Sequence, residues 1–225
     1  MNVLLFGATG MVGDAVLHEC LADDRVTSVL ALTRSPLGTS HRKVRELRRS
    51  DFYVYADLAT ELETIDACFF CLGVSAVGLS EQEYRHQTLD LTLAAGRALA
   101  SAHPGAVFCY VSGEGTDSTE KGRAMWARVK GATENALRAL PLKAYMFRPG
   151  FIRRREGGPS SKTLLYRIGY VLVAPLYPVL RRLAPTHMTT AENLGRAMIA
   201  VAITGYSSRV LENVDINEVG GRSPA

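Results

Sequence analysis

Gly7, Gly10 and Gly13 stand three residues apart in the stretch Gly7-Ala8-Thr9-Gly10-Met11-Val12-Gly13. Glycines at this spacing can press a turn of backbone N–H groups against a pyrophosphate. Gly7 permits the tight turn, Gly10 lets the backbone approach the anion, and Gly13 lets a helix pack close to a strand. The N-terminal end of that helix adds its dipole and its free N–H groups. Further on, the apolar run Val29-Leu30-Ala31-Leu32 ends in Thr33-Arg34-Ser35. Sites that take a dinucleotide without a 2′-phosphate usually place Asp or Glu here, on the ribose hydroxyl. A carboxylate repels a 2′-phosphate, whereas arginine attracts it. Arg34 therefore points to NADP(H), with NAD(H) as the alternative; a plain exposed arginine is the reading without chemistry.

Other chemistry-bearing residues fall at the ends of apolar runs. Asp51-Phe52 suits an adenine, the carboxylate for its amino group and the ring for packing, with Asp57-Leu58 as the rival by composition; Asp51 as a helix N-cap is an equal reading, compatible with the adenine contact. Cys71-Leu72-Gly73 ends one run, with a small residue where a cofactor would lie close. Val111-Ser112 ends the next and delivers a serine to the same rim. Trp126 and Lys130, four residues apart, share a helix face. Pro149-Gly150-Phe151 closes another strand on the side where a nicotinamide would sit. Cys68 and Cys71 form C-x-x-C within a strand run, so they point to opposite faces. With Cys20 and Cys109 they are read as small buried hydrophobes of a reducing compartment, not as a metal clip or redox pair.

These residues need a scaffold that gathers strand ends at one edge. Strands are predicted near 2–6, 27–32, 44–49, 66–72, 106–112 and 143–147, and a last short one at 210–212. Helices are predicted near 11–22, 53–63, 81–102 and 122–139. Ser80 and Glu83 look like a capping box for the third of these. A second box is read in Thr189-Thr190-Ala191-Glu192, opening a helix to about 203. The alternation implies an α/β fold with a doubly wound, mainly parallel sheet, helices on both faces and a cleft at the carboxyl ends of the strands. The expected organisation is one domain over 1–225, with a cofactor-binding core at 1–150 and a substrate-side part at 151–225.

The chain has 225 residues, 47% hydrophobic, a net charge of +4 and four cysteines, enough for one full core. Its basic residues are scattered, and no zinc-finger or helix-turn-helix spacing occurs, which argues against nucleic-acid binding. The sequence runs directly into a strand, so no leader is expected and a cytoplasmic protein is read. Residues 164–182 are apolar but broken by Pro175 and Pro178, and Arg181-Arg182 close the run. A transmembrane helix is not expected there. A cover over the cleft or a dimer face is preferred, with a peripheral membrane helix as the alternative. Arg153-Arg154-Arg155 reads as a solvated run, with an anionic substrate group as the sharper alternative.

Taken together, these stretches resemble the short-chain dehydrogenase/reductase superfamily of the extended or atypical kind. They are similar to its NAD-dependent epimerase/dehydratase branch and to the Tat-interacting-protein-like oxidoreductases. The carrying motifs are 7–13, Asp51-Phe52, 71–73, Val111-Ser112, Val129-Lys130-Gly131 and Arg148-Pro149-Gly150, within about 1–150 and more weakly to 203. The resemblance implies an NAD(P)-binding Rossmann fold, an oxidoreductase or epimerase acting on a small molecule, and a homodimer built on the helices at 81–102 and 122–139. It also implies a catalytic Ser followed by Tyr-x-x-x-Lys, in which the Tyr is the acid or base. Ser112 and Lys130 match; the Tyr position holds Trp126, whose indole cannot exchange a proton near neutral pH. Tyr84, Tyr110, Lys130 itself or a water are the candidate replacements. A non-catalytic NADPH-binding regulator or scaffold is the rival from another class.

Overall fold

The structure, a computed structural model, describes residues 1–159 and 185–221. The apolar run behind the glycine turn forms β1 (Asn2–Phe6), whose last four residues are buried. A run apolar on both faces suits a strand covered by helices on both sides. α1 (Met11–Ala22) follows, then β2 (Ser28–Thr33), β3 (Val44–Arg48), the short α2 (Ala59–Glu63) and β4 (Ala67–Phe70). A continuous helical run over 81–102 comprises α3 (Glu81–Arg85), a π-helical turn at His86–Asp90 and α4 (Leu91–Ala102). β5 (Val107–Val111), α5 (Met125–Arg138) and β6 (Lys143–Arg148) complete the core alternation. β7 (Phe151–Arg153), β8 (Met188–Thr190), α6 (Ala191–Thr204), β9 (Val210–Glu212) and α7 (Asn213–Gly220) make up the rest of the described chain.

Seven strands form one sheet in the order β3-β2-β1-β4-β5-β6-β9, and each neighbouring pair is parallel. Every carboxyl end therefore opens on one edge, and the order reverses between β1 and β4, the switch point where α/β sheets bind ligands. Alternate residues feed two cores. Leu4, Phe6, Cys68, Phe70 and Phe108 pack with α4 and α5 residues such as Leu99 and Val129. Val3, Leu5, Phe69, Cys109 and Phe147 pack with α1 and α6 residues such as Val16, Leu194 and Met198. Cys68 and Cys71 belong to opposite layers, as the strand spacing requires, and the four cysteines are free thiols.

Several expectations need correction. The helix expected at 53–63 is reduced to a 3₁₀ turn at Ala56–Leu58 and α2. The backbone before it is held otherwise. Asp51 Oδ1 accepts the Tyr53 N–H at 2.7 Å, Arg49 donates to the carbonyls of Asp51 and Val54, and the Tyr55 hydroxyl donates to Phe52 O at 2.8 Å. Asp51 is thus the head of a local turn and not a helix N-cap. The helix expected from 122 starts at Met125, because Asp117 Oδ2 takes the Gly122 N–H at 2.6 Å and holds that residue in the preceding loop.

The box at 80–83 forms as read, but the one at 189–192 does not. Thr190 caps α6 by accepting the Asn193 N–H at 3.0 Å, while Thr189 belongs to β8 and donates to Asn217 Oδ1 at 2.7 Å. The parallel pair β7–β8 and helix α7 were not anticipated. The readings made for 164–182 lie outside the described residues; among those described, no helix is long and apolar enough to cross a membrane.

Candidate functional site

The glycine turn forms at the switch point, and the three glycines have different reasons for being glycine. Gly7 has φ +80°, and a Cβ there would sit 2.8 Å from Cys71 O. A Cβ on Gly13 would lie 2.1 Å from Gly7 O, so only glycine lets α1 pack on the turn. Gly10 is different: its φ is −96°, and a Cβ would meet only Gly7 O at 3.2 Å. What Gly10 provides is free space outside the turn. It donates its own N–H to Gly7 O at 2.8 Å and has no side chain to cap α1. The first N–H groups of α1 lack intrahelical acceptors, as at any helix start, and no side chain caps them. Ala8 is buried in the core, and Thr9 lines the opening.

A cleft of about 310 Å³ starts from this turn, walled by Gly7, Thr9, Thr33, Arg34, Phe52 and Leu72. Phe52 closes one side and packs its ring 6.2 Å from that of Phe6. The Thr33 hydroxyl is engaged, donating to Glu46 Oε1 on β3 at 3.0 Å. Arg34, Arg48, Arg49 and Ser50 surround a second hollow beside the first. Arg49 is engaged with Asp57, whereas no ion pair is recorded for Arg34 or Arg48 among the described residues. The Asp51 carboxylate is exposed and does not line this cleft.

At the far end of the edge, β5 runs out through Val111 into Ser112, Gly113 and Glu114. Here the structure departs from the expected arrangement. Ser112 is only 2% exposed, and its hydroxyl donates to Glu134 Oε1 at 2.6 Å. Glu134 is buried and pairs with Arg148, whose Nε and Nη2 donate to its two oxygens at 3.0 and 2.5 Å. Arg148 also reaches Glu212 and Ser118. Ser112 thus holds a buried ion pair together; its hydroxyl is not offered to a substrate. Glu134 stands one turn after Lys130 on α5 and Arg148 ends β6, but no spacing between them announces the contact with Ser112.

Lys130 is half-buried and donates through Nζ to Ser112 O. Burial pushes its ammonium down to about 8, opposed by the Glu134 carboxylate. Trp126 lies on the same helix face and is 37% exposed. Its Cη2 is 3.4 Å from where a Gly115 side chain would begin, and Lys130 Nζ is 3.7 Å from the equivalent point on Gly113. Tyr84 and Tyr110 are both buried in the core, which removes them as replacements for the missing Tyr.

Beyond β6, Pro149 O accepts the Glu114 N–H at 2.9 Å, and Asn213 Oδ1 accepts the Gly150 N–H at 3.0 Å. Gly150 must be glycine because His187 O would lie 2.2 Å from its Cβ. Phe151 opens β7. Cys71 packs on the α1 side of the sheet, and Gly73 is exposed with open space around its Cα. Two residues not anticipated meet at this rim: His187 Nδ1 is hydrogen-bonded to Glu114 Oε1, across 73 positions of sequence. No motif spacing announces that pair; only the fold brings it together.

No family model matches the chain. The chain is similar to DesIV, a dTDP-glucose 4,6-dehydratase from Streptomyces venezuelae whose structure has NAD and TYD bound. The TM-score is 0.67 at 15% identity, covering 98% of this chain and 80% of that one. The fold and strand order are those of a Rossmann-like α/β protein, a parallel seven-stranded sheet flanked by helices. The chain belongs to the fmp52 family. It is 30% identical over 179 residues to Protein fmp52, mitochondrial, of Emericella nidulans, which is 75% of each chain. It is also 27% identical over 122 residues to Leucinostatins biosynthesis cluster protein T of Purpureocillium lilacinum, of which the match spans 45%.

Proposed function

We propose that this protein is an NADPH-preferring oxidoreductase acting on a small molecule with a carbonyl or carbinol carbon. The observation that carries the reading is the switch-point turn. Its helix-end N–H groups are uncapped, Gly10 leaves the space outside the turn free, and the cleft runs from there past Arg34 and Arg48. Gly10 and the first turn of α1 would hold the pyrophosphate, Phe52 would pack on the adenine, and Arg34 with Arg48 would hold the 2′-phosphate. Lys130 would reach the nicotinamide ribose. A nicotinamide bound there supplies hydride chemistry; the chain supplies orientation, a dry wall at Trp126 and a proton at the rim.

Trp126 is the only tryptophan. Titration with NADPH and with NADH, followed by its fluorescence, tests the reading. Saturable quenching that is stronger with NADPH and weakened by Arg34→Ala is expected. Absence of binding to either, by quenching and by calorimetry, overturns it.

A second reading has its own observation. Ser112 is committed to Glu134 and the Tyr position holds Trp126, which favours an NADPH-binding regulator without turnover. A screen of carbonyl substrates and nucleotide sugars with NADPH separates the two. As for place, the cytosol is our reading; the fmp52 relatives are named mitochondrial. Buried free thiols suit any reducing compartment, and cell fractionation decides between them.

A further inference from the structure

We propose that His187 is the catalytic acid–base of this rim and that Glu114 positions it, together supplying the proton transfer that Trp126 cannot. This rests on the oxidoreductase reading above. Four observations converge on the pair. First, the pattern Trp126-x-x-x-Lys130 is aimed at it: Lys130 abuts Gly113, Trp126 abuts Gly115, and Glu114 is the residue between. Gly113 and Gly115 have φ of +121° and +80°, a backbone that L side chains avoid, so the loop turns sharply on each side of Glu114. Second, the Glu114 N–H is anchored on Pro149 O at 2.9 Å, which ties the residue to the exit of β6.

Third, His187 is wedged in place: its carbonyl approaches Gly150 so closely that only glycine fits. The strand that follows it, β8, is paired with β7. Fourth, both side chains remain open to solvent, 41% for Glu114 and 63% for His187, so a substrate can reach them. A purely structural pair would gain little at such exposure. Lys130 stands behind the pair. α7, which packs against the 185–187 turn, carries Asp215, itself held by the Tyr206 hydroxyl and the Glu212 N–H.

The chemistry follows from the ring nitrogen that Glu114 takes. A carboxylate on Nδ1 selects the tautomer with the proton there and leaves Nε2 for a substrate. Among the described residues Nε2 has no partner. Reduction of a carbonyl adds a hydride to carbon and a proton to oxygen. The imidazolium Nε2–H would donate that proton as the C=O π bond opens. The ring is left neutral with Nδ1–H on Glu114, and solvent restores the proton. In the reverse direction Nε2 takes the carbinol proton as hydride leaves. Glu114 would stabilise the charged ring and keep its orientation.

The test combines placement and turnover. Diethyl pyrocarbonate is applied to the full chain, and carbethoxylation of His187 is followed by peptide mass spectrometry. The arms are no ligand, NADPH, and ADP-ribose 2′-phosphate, which lacks the nicotinamide. Protection of His187 by NADPH and not by the fragment is expected. Phenanthrenequinone and nitrobenzaldehyde then serve as carbonyl probes with NADPH. His187→Gln is expected to lower kcat by about 100-fold with the NADPH Kd unchanged. Glu114→Gln should lower kcat by about 10-fold at an unchanged KM, with partial rescue by Glu114→Asp.

NADPH binding without protection of His187 overturns the proposal and leaves the cofactor reading standing. So does NADPH binding with protection but no oxidation by either probe, or kcat retained in His187→Gln. Failure of NADPH to bind at all overturns the oxidoreductase reading, and the inference falls with it.

Discussion

The glycine turn and the β5–β6 rim lie on the same edge of one sheet, yet they are built by different means. At the turn, recognition is done by backbone: Gly7 and Gly13 are required by approaches of 2.8 and 2.1 Å, and Gly10 by the space it leaves. At the rim, side chains from distant segments decide the chemistry. Ser112 is turned inward to Glu134, and His187 is brought to Glu114 from the far end of the chain. A backbone site tolerates change around it as long as the glycines stay. A side-chain site can be rewired by one substitution, and the Trp at position 126 is consistent with such rewiring.

The largest expected effects separate the two kinds of glycine. Gly13→Ala should cost about 3 kcal/mol or more in urea unfolding, since both clashing groups are backbone. Gly10→Ala should cost less than about 1 kcal/mol in the same assay while abolishing NADPH binding in calorimetry. If Gly10→Ala binds NADPH as the wild type does, the turn is not where the pyrophosphate lies.

Next comes the buried pair. Arg148→Met leaves the Glu134 carboxylate buried without its cation and should destabilise by about 3 kcal/mol or more. Ser112→Ala should cost about 1–2 kcal/mol in unfolding and leave the NADPH Kd unchanged. Unaltered stability with lost turnover would instead return Ser112 to a catalytic role and make the rim an ordinary one.

Smaller still is the phosphate preference. Arg34→Ala should weaken NADPH about 10-fold, roughly 1.4 kcal/mol, and leave NADH almost untouched. The finest probe is Lys130. Burial holds it at about 8 against an ordinary 10.5, so between those values the unfolded chain binds more of this proton than the folded one. Stability should therefore rise with pH across that window, and this contribution is lost as pH falls toward the lower value. Comparing the urea midpoints of wild type and Lys130→Met at about pH 7 and about pH 10 should reveal the difference in slope.

The fold was legible because buried parallel strands are continuous apolar runs, and β1, β2, β4, β5 and β6 each lie in one. The phosphate turn was legible because glycine spacing reports backbone geometry directly. Three-residue strands carry little pattern: β9 was read, but β7 and β8 were missed. The helix at 53–63 was overestimated because Arg49 and Tyr55 satisfy backbone carbonyls that a helix would have used. Ser112 was misread because the direction of a hydroxyl depends on Glu134, and no local pattern reports which partner a folded chain will bring. His187 is a lone histidine in sequence, and only the wedge at Gly150 and the reach of Glu114 give it meaning.

The position of β9 at the edge of the sheet, beside β6, has a consequence for how the chain comes into being. α6 and β9 are made after β6, yet Leu194, Met198, Ile199 and Leu211 share with α1 the covering of the face formed by Val3, Leu5 and Phe69. A growing polypeptide that has emerged from the ribosome only through β6 already holds every strand of the cofactor edge. One side of its sheet then has α1 but still lacks α6. Such an intermediate would be sticky, and its maturation would wait on the synthesis of α6 and β9.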